Sequence, residues 1–158
     1  MSNDLQLLSY FDSALFCSDL AGRSKGAVLK EMVECVARSH GVRDRSLLLE
    51  MLERRESLGS TGIGKGVAIP HGRSLAVVSL RVLFARSLKG VEFDAVDSKP
   101  VKLFFLIVAP PQDKKNEYLP LLGKIAELVK EKKTRDRLLK VEDFAQLRAV
   151  LEESGLGQ

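Results

Sequence analysis

Apolar and polar positions alternate along this chain with two different periods, and the change of period marks its elements. From about Lys25 to Ser39, Val28, Met32 and Val36 with Leu29 and Val33 recur at helical spacing, with Ser24 placed to cap the start and Gly41 to end it. His40 stands at that C-terminal end, where a cation meets the helix dipole favourably. Asp44 is placed to cap a second helix carrying Leu48, Met51, Leu52 and Arg55. Leu80, Val82 and Phe84 alternate with Arg81, Leu83 and Ala85, which predicts a strand. Val101 to Ala109 is almost continuously apolar, the mark of a central strand covered on both faces, and Pro110-Pro111 stops it.

The remaining elements follow the same logic. Leu5 to Phe11 is an apolar lead-in and Ala14 to Cys17 a short edge strand. Val67 to Ile69 reads as a strand, Ile69 being biased to extended geometry by the proline after it. Val91 to Pro100 is a turn-rich link. Asn116 to Lys132 is helical with Leu122, Ile125, Ala126 and Val129 inward. A shorter helix spans Thr134 to Lys140, and Glu142 or Asp143 opens a last one with Phe144, Leu147, Val150 and Leu151. Strands interleaved with helices over 158 residues, with no repeat and no internal linker, predict one α/β layer domain over 1–158.

The chemistry concentrates between Gly59 and His71. Four glycines in eight residues, two hydroxyls at the start, then a proline and one of only two histidines describe a loop rich in backbone N–H donors leading to an imidazole. Gly59 to Lys65 also fits G-x-x-x-x-G-K, but Gly66 stands where a P-loop needs Ser or Thr for magnesium. A helical stretch, Leu47 to Arg55, precedes this loop and an extended one follows, the reverse of a P-loop. A plain glycine-rich turn beside a surface histidine is the competing reading.

The longer string decides between them. Arg55-Glu56, Gly59-Ser60-Thr61-Gly62-Ile63-Gly64, Gly66 and Ala68-Ile69-Pro70-His71-Gly72 closely resemble the signature of enzyme IIA of the fructose/mannitol family. That family belongs to the bacterial phosphoenolpyruvate-dependent sugar phosphotransferase system (PTS), and its nitrogen-type regulatory members share the signature. Phe93-Asp94-Ala95-Val96-Asp97 with Lys99-Pro100-Val101 also looks like the family, and the likeness runs from about residue 5 to 153. The resemblance implies a mixed sheet of about five strands flanked by helices on both faces. It implies that His71 is phosphorylated, as a tele-phosphohistidine. The donor it implies is the carrier HPr or a nitrogen-type paralogue, and onward partners are a IIB domain or a regulatory target.

An imidazole suits such a carrier because one nitrogen attacks while the other stays hydrogen-bonded. Phosphoryl transfer asks the protein chiefly for positioning and charge stabilisation. Arg55 offers a bidentate fork, against the alternative of an ion pair with Glu53 or Glu56. Ser60 and Thr61 offer hydroxyls, against the alternative of capping their own loop. Lys65 and Arg73 flank the site, either steering an anionic partner or standing as solvated charges. One departure stands out. Family members commonly carry a second histidine followed by leucine at the start of the helix after the central strand; here the position reads Glu117-Tyr118-Leu119. Tyr118 is therefore the candidate phosphate-site neighbour, without a cation's charge at neutral pH.

Composition adds limits. A net charge of +4 comes with no nucleic-acid motif. The longest apolar run, Leu103 to Pro111, is far short of the ~20 residues of a membrane helix, and the N-terminus lacks a signal-peptide pattern. Cys17 and Cys35 form no C-x-x-C pair and read as reduced thiols of a cytoplasmic protein. No cofactor and no metal cluster is expected. A free-standing domain points to the nitrogen-type branch. A transport IIA passing phosphate to a sugar-specific IIB is one alternative; a docking module with little or no phosphorylation is the other.

Overall fold

One strand, Val101–Ala109, runs through the centre of the structure with eight of its nine residues buried. The structure, a computed structural model, describes residues 7–156. Its strands are β1 (Phe16–Cys17), β2 (Gly62–Gly64), β3 (Val67–Ala68), β4 (His71–Arg73), β5 (Arg81–Val91) and β6 (Val101–Ala109). Its helices are α1 (Lys25–Ala37), α2 (Arg45–Ser57), α3 (Tyr118–Leu128), α4 (Lys132–Leu138) and α5 (Phe144–Glu153). The sheet order is β1-β5-β6-β3-β2, with β4 also on β6. β5 pairs β6 antiparallel, whereas β3 and β4 pair it parallel, so the sheet is mixed.

An apolar strand of this kind must be covered twice. On one face Leu103, Phe105 and Ile107 pack with Leu121, Ile125, Leu147 and Leu151 of α3 and α5, and with Leu7, Leu8 and Phe11 of the lead-in. On the other, Phe104, Leu106 and Val108 pack with Val28, Met32 and Val36 of α1 and Leu48 and Leu52 of α2. Helices therefore lie on both faces, as the family resemblance implies. Within α3 the inward residues are Leu121, Ile125 and Leu128, while Leu122 and Ala126 are only partly buried. Ile125 and Val129 are buried as the sequence reading expects, whereas Leu121 and Leu128 take the inward places it gave to Leu122 and Ala126. Three predicted caps are made: the side chains of Ser24, Asp44 and Asp143 accept N–H bonds from Ala27, Leu47 and Gln146. Leu5 of the lead-in lies outside the described residues.

Two features near the glycines differ from expectation. The stretch is a hairpin, not an open loop: Gly62 and Gly64 of β2 pair with Ala68 and Val67 of β3. Its two turn residues, Lys65 and Gly66, both have positive φ (58° and 80°), as the tight turn of a two-residue hairpin requires. The strand after it does not stop at Ile69. Val67 faces Leu103 and His71 faces Ile107, so the register on β6 is the same on both sides of Pro70. Pro70 lacks an N–H and drops one rung, although its carbonyl still accepts from Ile107 at 2.9 Å. A single extended run, nicked by a proline, thus appears as β3 and β4. The hairpin and this nick raise the strand number from about five to six. β5 also continues to Val91, further than the alternating pattern reached, so the link is shorter than read.

The hairpin is pinned at its base by Glu56 at the end of α2. This carboxylate is buried, accepts the Thr61 N–H at 3.1 Å and the Thr61 hydroxyl, and pairs with Lys25 of α1 at 3.0 Å. It ties two helices to the hairpin. Glu56→Ala should therefore cost about 2 kcal/mol in urea unfolding, because the two buried Thr61 donors lose their acceptor and the half-buried Lys25 ammonium keeps only Asp94 at 3.6 Å. A loss below about 0.5 kcal/mol, the range of ordinary surface substitutions, would show that the hairpin is held by other contacts.

Candidate functional site

His71 opens β4 and is half-buried. Its Nδ1 lies 2.6 Å from the carbonyl oxygen of Ile69. A carbonyl can only accept, so Nδ1 carries a proton, and in the neutral ring the lone pair is on Nε2. The local fold explains why that carbonyl is available. The Ile69 N–H reaches Thr61 across the hairpin at 3.0 Å, and in an extended residue N–H and C=O point to the same side. Its carbonyl looks out beyond the end of β2, and the imidazole two residues on takes it. Pro70 between them fixes φ and stiffens the connection.

His71 and Arg73 are two residues apart on one strand and so share a face, the face packed against α3. There Tyr118, the first residue of α3, lies with its ring 6.5 Å from the imidazole, tilted by 51°. The Arg73 guanidinium sits 4.7 Å over the Tyr118 ring and also donates to the Pro111 carbonyl at 3.3 Å. Asp113 holds the start of α3 in place by accepting the Tyr118 N–H at 2.7 Å. Burial raises the Tyr118 phenol above its ordinary pKa, while the charges of Arg73 and Arg55 pull it down. The group stays a neutral hydroxyl through the physiological range.

The second guanidinium arrives from the opposite layer. Gly72, between His71 and Arg73, faces α2. A side chain at that position would run into the Met51 sulfur, so the methionine rests directly on the glycine backbone. Arg55 is four residues beyond Met51 and on the same side of α2. Close packing of Met51 on Gly72 therefore brings the Arg55 end of α2 down toward β4. The Arg55 guanidinium is half-buried and donates to the Gly59 carbonyl at 2.8 Å, not to Glu53 or Glu56. The other faces of its fork remain available to an anion.

The remaining candidates are occupied elsewhere. The Ser60 hydroxyl donates to the Phe93 carbonyl at 2.8 Å and accepts the Gly62 N–H at 3.0 Å. Thr61 is 3% exposed and its hydroxyl belongs to Glu56. Both hydroxyls shape the hairpin. Lys65 sits in the turn and donates its backbone N–H to Asp97 at 2.9 Å. The structure thus gathers His71, Arg55 and Tyr118 and adds Arg73, which is stacked, not merely solvated. Arg73 was legible as the residue two beyond His71 once the strand is known to run through Pro70. Glu56 was legible only as part of the Arg55-Glu56 string, and its hold on Thr61 shows only in the folded hairpin. Among the described residues no group of three or more His, Cys, Asp or Glu is placed to hold a metal ion, and no helix is long and apolar enough to cross a membrane.

Residues 9–154 match the family described as "Phosphoenolpyruvate-dependent sugar phosphotransferase system, EIIA 2". A nitrogen regulatory protein of Pseudomonas aeruginosa is 38% identical over 120 residues, 76% of this chain and 77% of that one. The chain is 33% identical over 124 residues to a PTS system fructose-specific EIIABC component of Bacillus subtilis; the match covers 78% of this chain but only 19% of that longer protein. The crystal structure of nitrogen regulatory protein IIA-Ntr from Neisseria meningitidis superposes with a TM-score of 0.83 at 33% identity, covering 92% of this chain and 99% of that one. With the mixed sheet and helix layers shared by that structure, and the profile matched over nearly its whole length, the chain belongs to the type-2 EIIA family of the phosphotransferase system.

Proposed function

We propose that His71 is a phosphoryl carrier that accepts the group on Nε2 from the phosphohistidine of HPr or a nitrogen-type paralogue. The observation that carries this reading is the Nδ1–H bond to Ile69, which leaves Nε2 unprotonated on a half-exposed ring. As the new Nε2–P bond forms, the P–N bond to the donor imidazole breaks and its electron pair returns to the donor ring. The proton stays on Nδ1, donated to the Ile69 carbonyl throughout, so the ring needs no separate base. Arg55 and Arg73 converge from two layers and offset the charge of the phosphoryl oxygens; Tyr118 offers one neutral donor. Ser60 and Thr61 act one step back, by holding the hairpin that presents the strand.

A carrier of this kind must admit a partner's side chain. Three exposed apolar residues stand within three positions of site residues: Leu58 after Arg55, Leu75 after Arg73 and Leu119 after Tyr118, at 82%, 74% and 64% exposure. Apolar exposure beside a charged centre fits a transient protein interface. The nitrogen-regulatory relatives support a regulatory output, with the phosphorylated and free forms read by a target protein. Transfer to a sugar-specific IIB is the reading favoured by the fructose-type relative.

Incubation with phosphoenolpyruvate, enzyme I and HPr should add one acid-labile phosphoryl group by intact mass, and His71→Ala should remove it while circular dichroism stays unchanged. Full labelling of folded His71→Ala would place the acceptor elsewhere.

Arg55→Lys should slow transfer by about 10²-fold, the usual cost of losing a donor aimed at developing charge, with little change in melting temperature. Unchanged labelling kinetics combined with a large stability loss would instead make Arg55 a cap of the Gly59 carbonyl.

Tyr118→His should alter phosphohistidine decay most visibly below pH ~6.5, where an imidazole becomes cationic. Tyr118→Phe should change it by no more than one net hydrogen bond, about 1 kcal/mol. Identical decay curves for the wild type and both variants would remove Tyr118 from the site.

A further inference from the structure

At the other end of the sheet lies a cavity of about 460 Å³. Leu103 borders it, four residues before Ile107, the partner of His71; at the rise of a strand this is roughly 13 Å away. The β2–β3 turn, the β5–β6 link, the start of β6 and α4 enclose it together. Six cationic side chains line it, Lys65, Lys89, Lys99, Lys102, Lys132 and Arg135, against two carboxylates, Asp97 and Asp136. The chain holds 25 Lys and Arg and 21 Asp and Glu. Removing these six and two leaves 19 of each sign. The whole positive excess of the protein is therefore concentrated at one cavity.

Burying or clustering like charges costs free energy unless something opposes it. Among the described residues no carboxylate lies within ion-pair distance of the ammonium groups of Lys65, Lys89, Lys99 or Lys102. Asp97 is fastened by backbone N–H bonds from Lys65 at 2.9 Å and Lys99 at 3.1 Å. These bonds hold its carboxyl below the usual range and fix the two loops of the rim. Lys132 meets Asp136 at 2.8 Å in an exposed pair of the kind that exchanges readily with another anion. Arg135 is anchored by the Val129 and Lys130 carbonyls at 2.9 and 2.7 Å, so its charge is held in one place. The floor is different: Leu103, Leu139 and Pro100 give it an apolar surface.

We propose that this cavity binds a nucleoside diphosphate or triphosphate, with the phosphates among the lysines and the base on the Leu103–Leu139–Pro100 floor. Four ammonium groups without a carboxylate partner call for more than one phosphate, and the apolar floor calls for a body that inorganic phosphate lacks. The volume fits a ligand of nucleotide size. A convex acidic protein would reach the rim lysines but leave the floor empty. The site is separate from His71 and does not depend on the carrier reading.

The test is calorimetric and amide-shift titration of the full chain with ATP, AMP and inorganic triphosphate at physiological salt. ATP should saturate one site and bind more tightly than either AMP or triphosphate. Shifts should concentrate at Lys65–Gly66, Lys99–Leu103 and Lys132–Arg135. Lys99→Gln combined with Lys102→Gln should weaken ATP about tenfold or more, as expected for lost charge-assisted bonds. Both positions lie at the surface rim, and unchanged circular dichroism of the variant verifies the fold. Arg148→Gln on α5 should leave affinity unchanged, and so should His71→Ala. Absence of saturable ATP binding, equal affinity for ATP and triphosphate, equal weakening by Arg148→Gln, or tighter binding of poly-glutamate than of ATP would each overturn the proposal.

Discussion

The pairing of residues 67–73 with β6 is the constraint on which the site depends. β6 is apolar on both faces, so it is fixed by two packed layers before any functional group is considered. A strand held in one register on such a partner has no freedom to slide, because a one-residue slip would exchange its faces. His71 inherits that rigidity. Pro70 then removes one rung without shifting the register, and the Ile69 carbonyl is left to orient the imidazole. Tautomer and direction follow from backbone geometry instead of from a neighbouring carboxylate.

The charges at the site come from both layers. α2 is brought down onto β4 by a glycine with no side chain to hold it off, and Arg55 arrives with it. α3 brings Tyr118 from the other side, and Arg73 of β4 covers the ring. Two guanidinium groups thus act on the Tyr118 phenol, with Arg73 lying over its ring. Guanidinium charge does not titrate in the physiological range, whereas imidazole charge does.

The same strand also separates the His71 region from the lysine-lined cavity. His71 lies beside Ile107, while the lysine-lined cavity opens beside Leu103. The hairpin turn at Lys65-Gly66 borders the cavity, and the hairpin base at Thr61 is held by Glu56, next to Arg55. The two regions share one rigid ribbon but no side chain.

Much of this was written in local sequence. The helix caps at Ser24, Asp44 and Asp143, the burial of Val101 to Ala109 and the extended bias at Ile69 are short-range effects of residue type and period. The string around His71 carried the family. Other features needed the chain to close on itself. The glycines read as a loop because residues without side chains carry no periodicity, and only pairing with β3 makes them a strand. A proline reads as a stop, and only β6 carries the strand past it. For Ser60 and Thr61 the sequence left open whether the hydroxyls meet an anion or hold the loop, and only the fold shows Phe93 and Glu56, distant or hidden in a helix, as their partners. The cavity gathers lysines from four separate segments, which in sequence were simply scattered surface charge. Period and capping act over a few residues, and a sequence shows them directly. Which groups meet across the sheet is set by packing, and only the tertiary structure decides it.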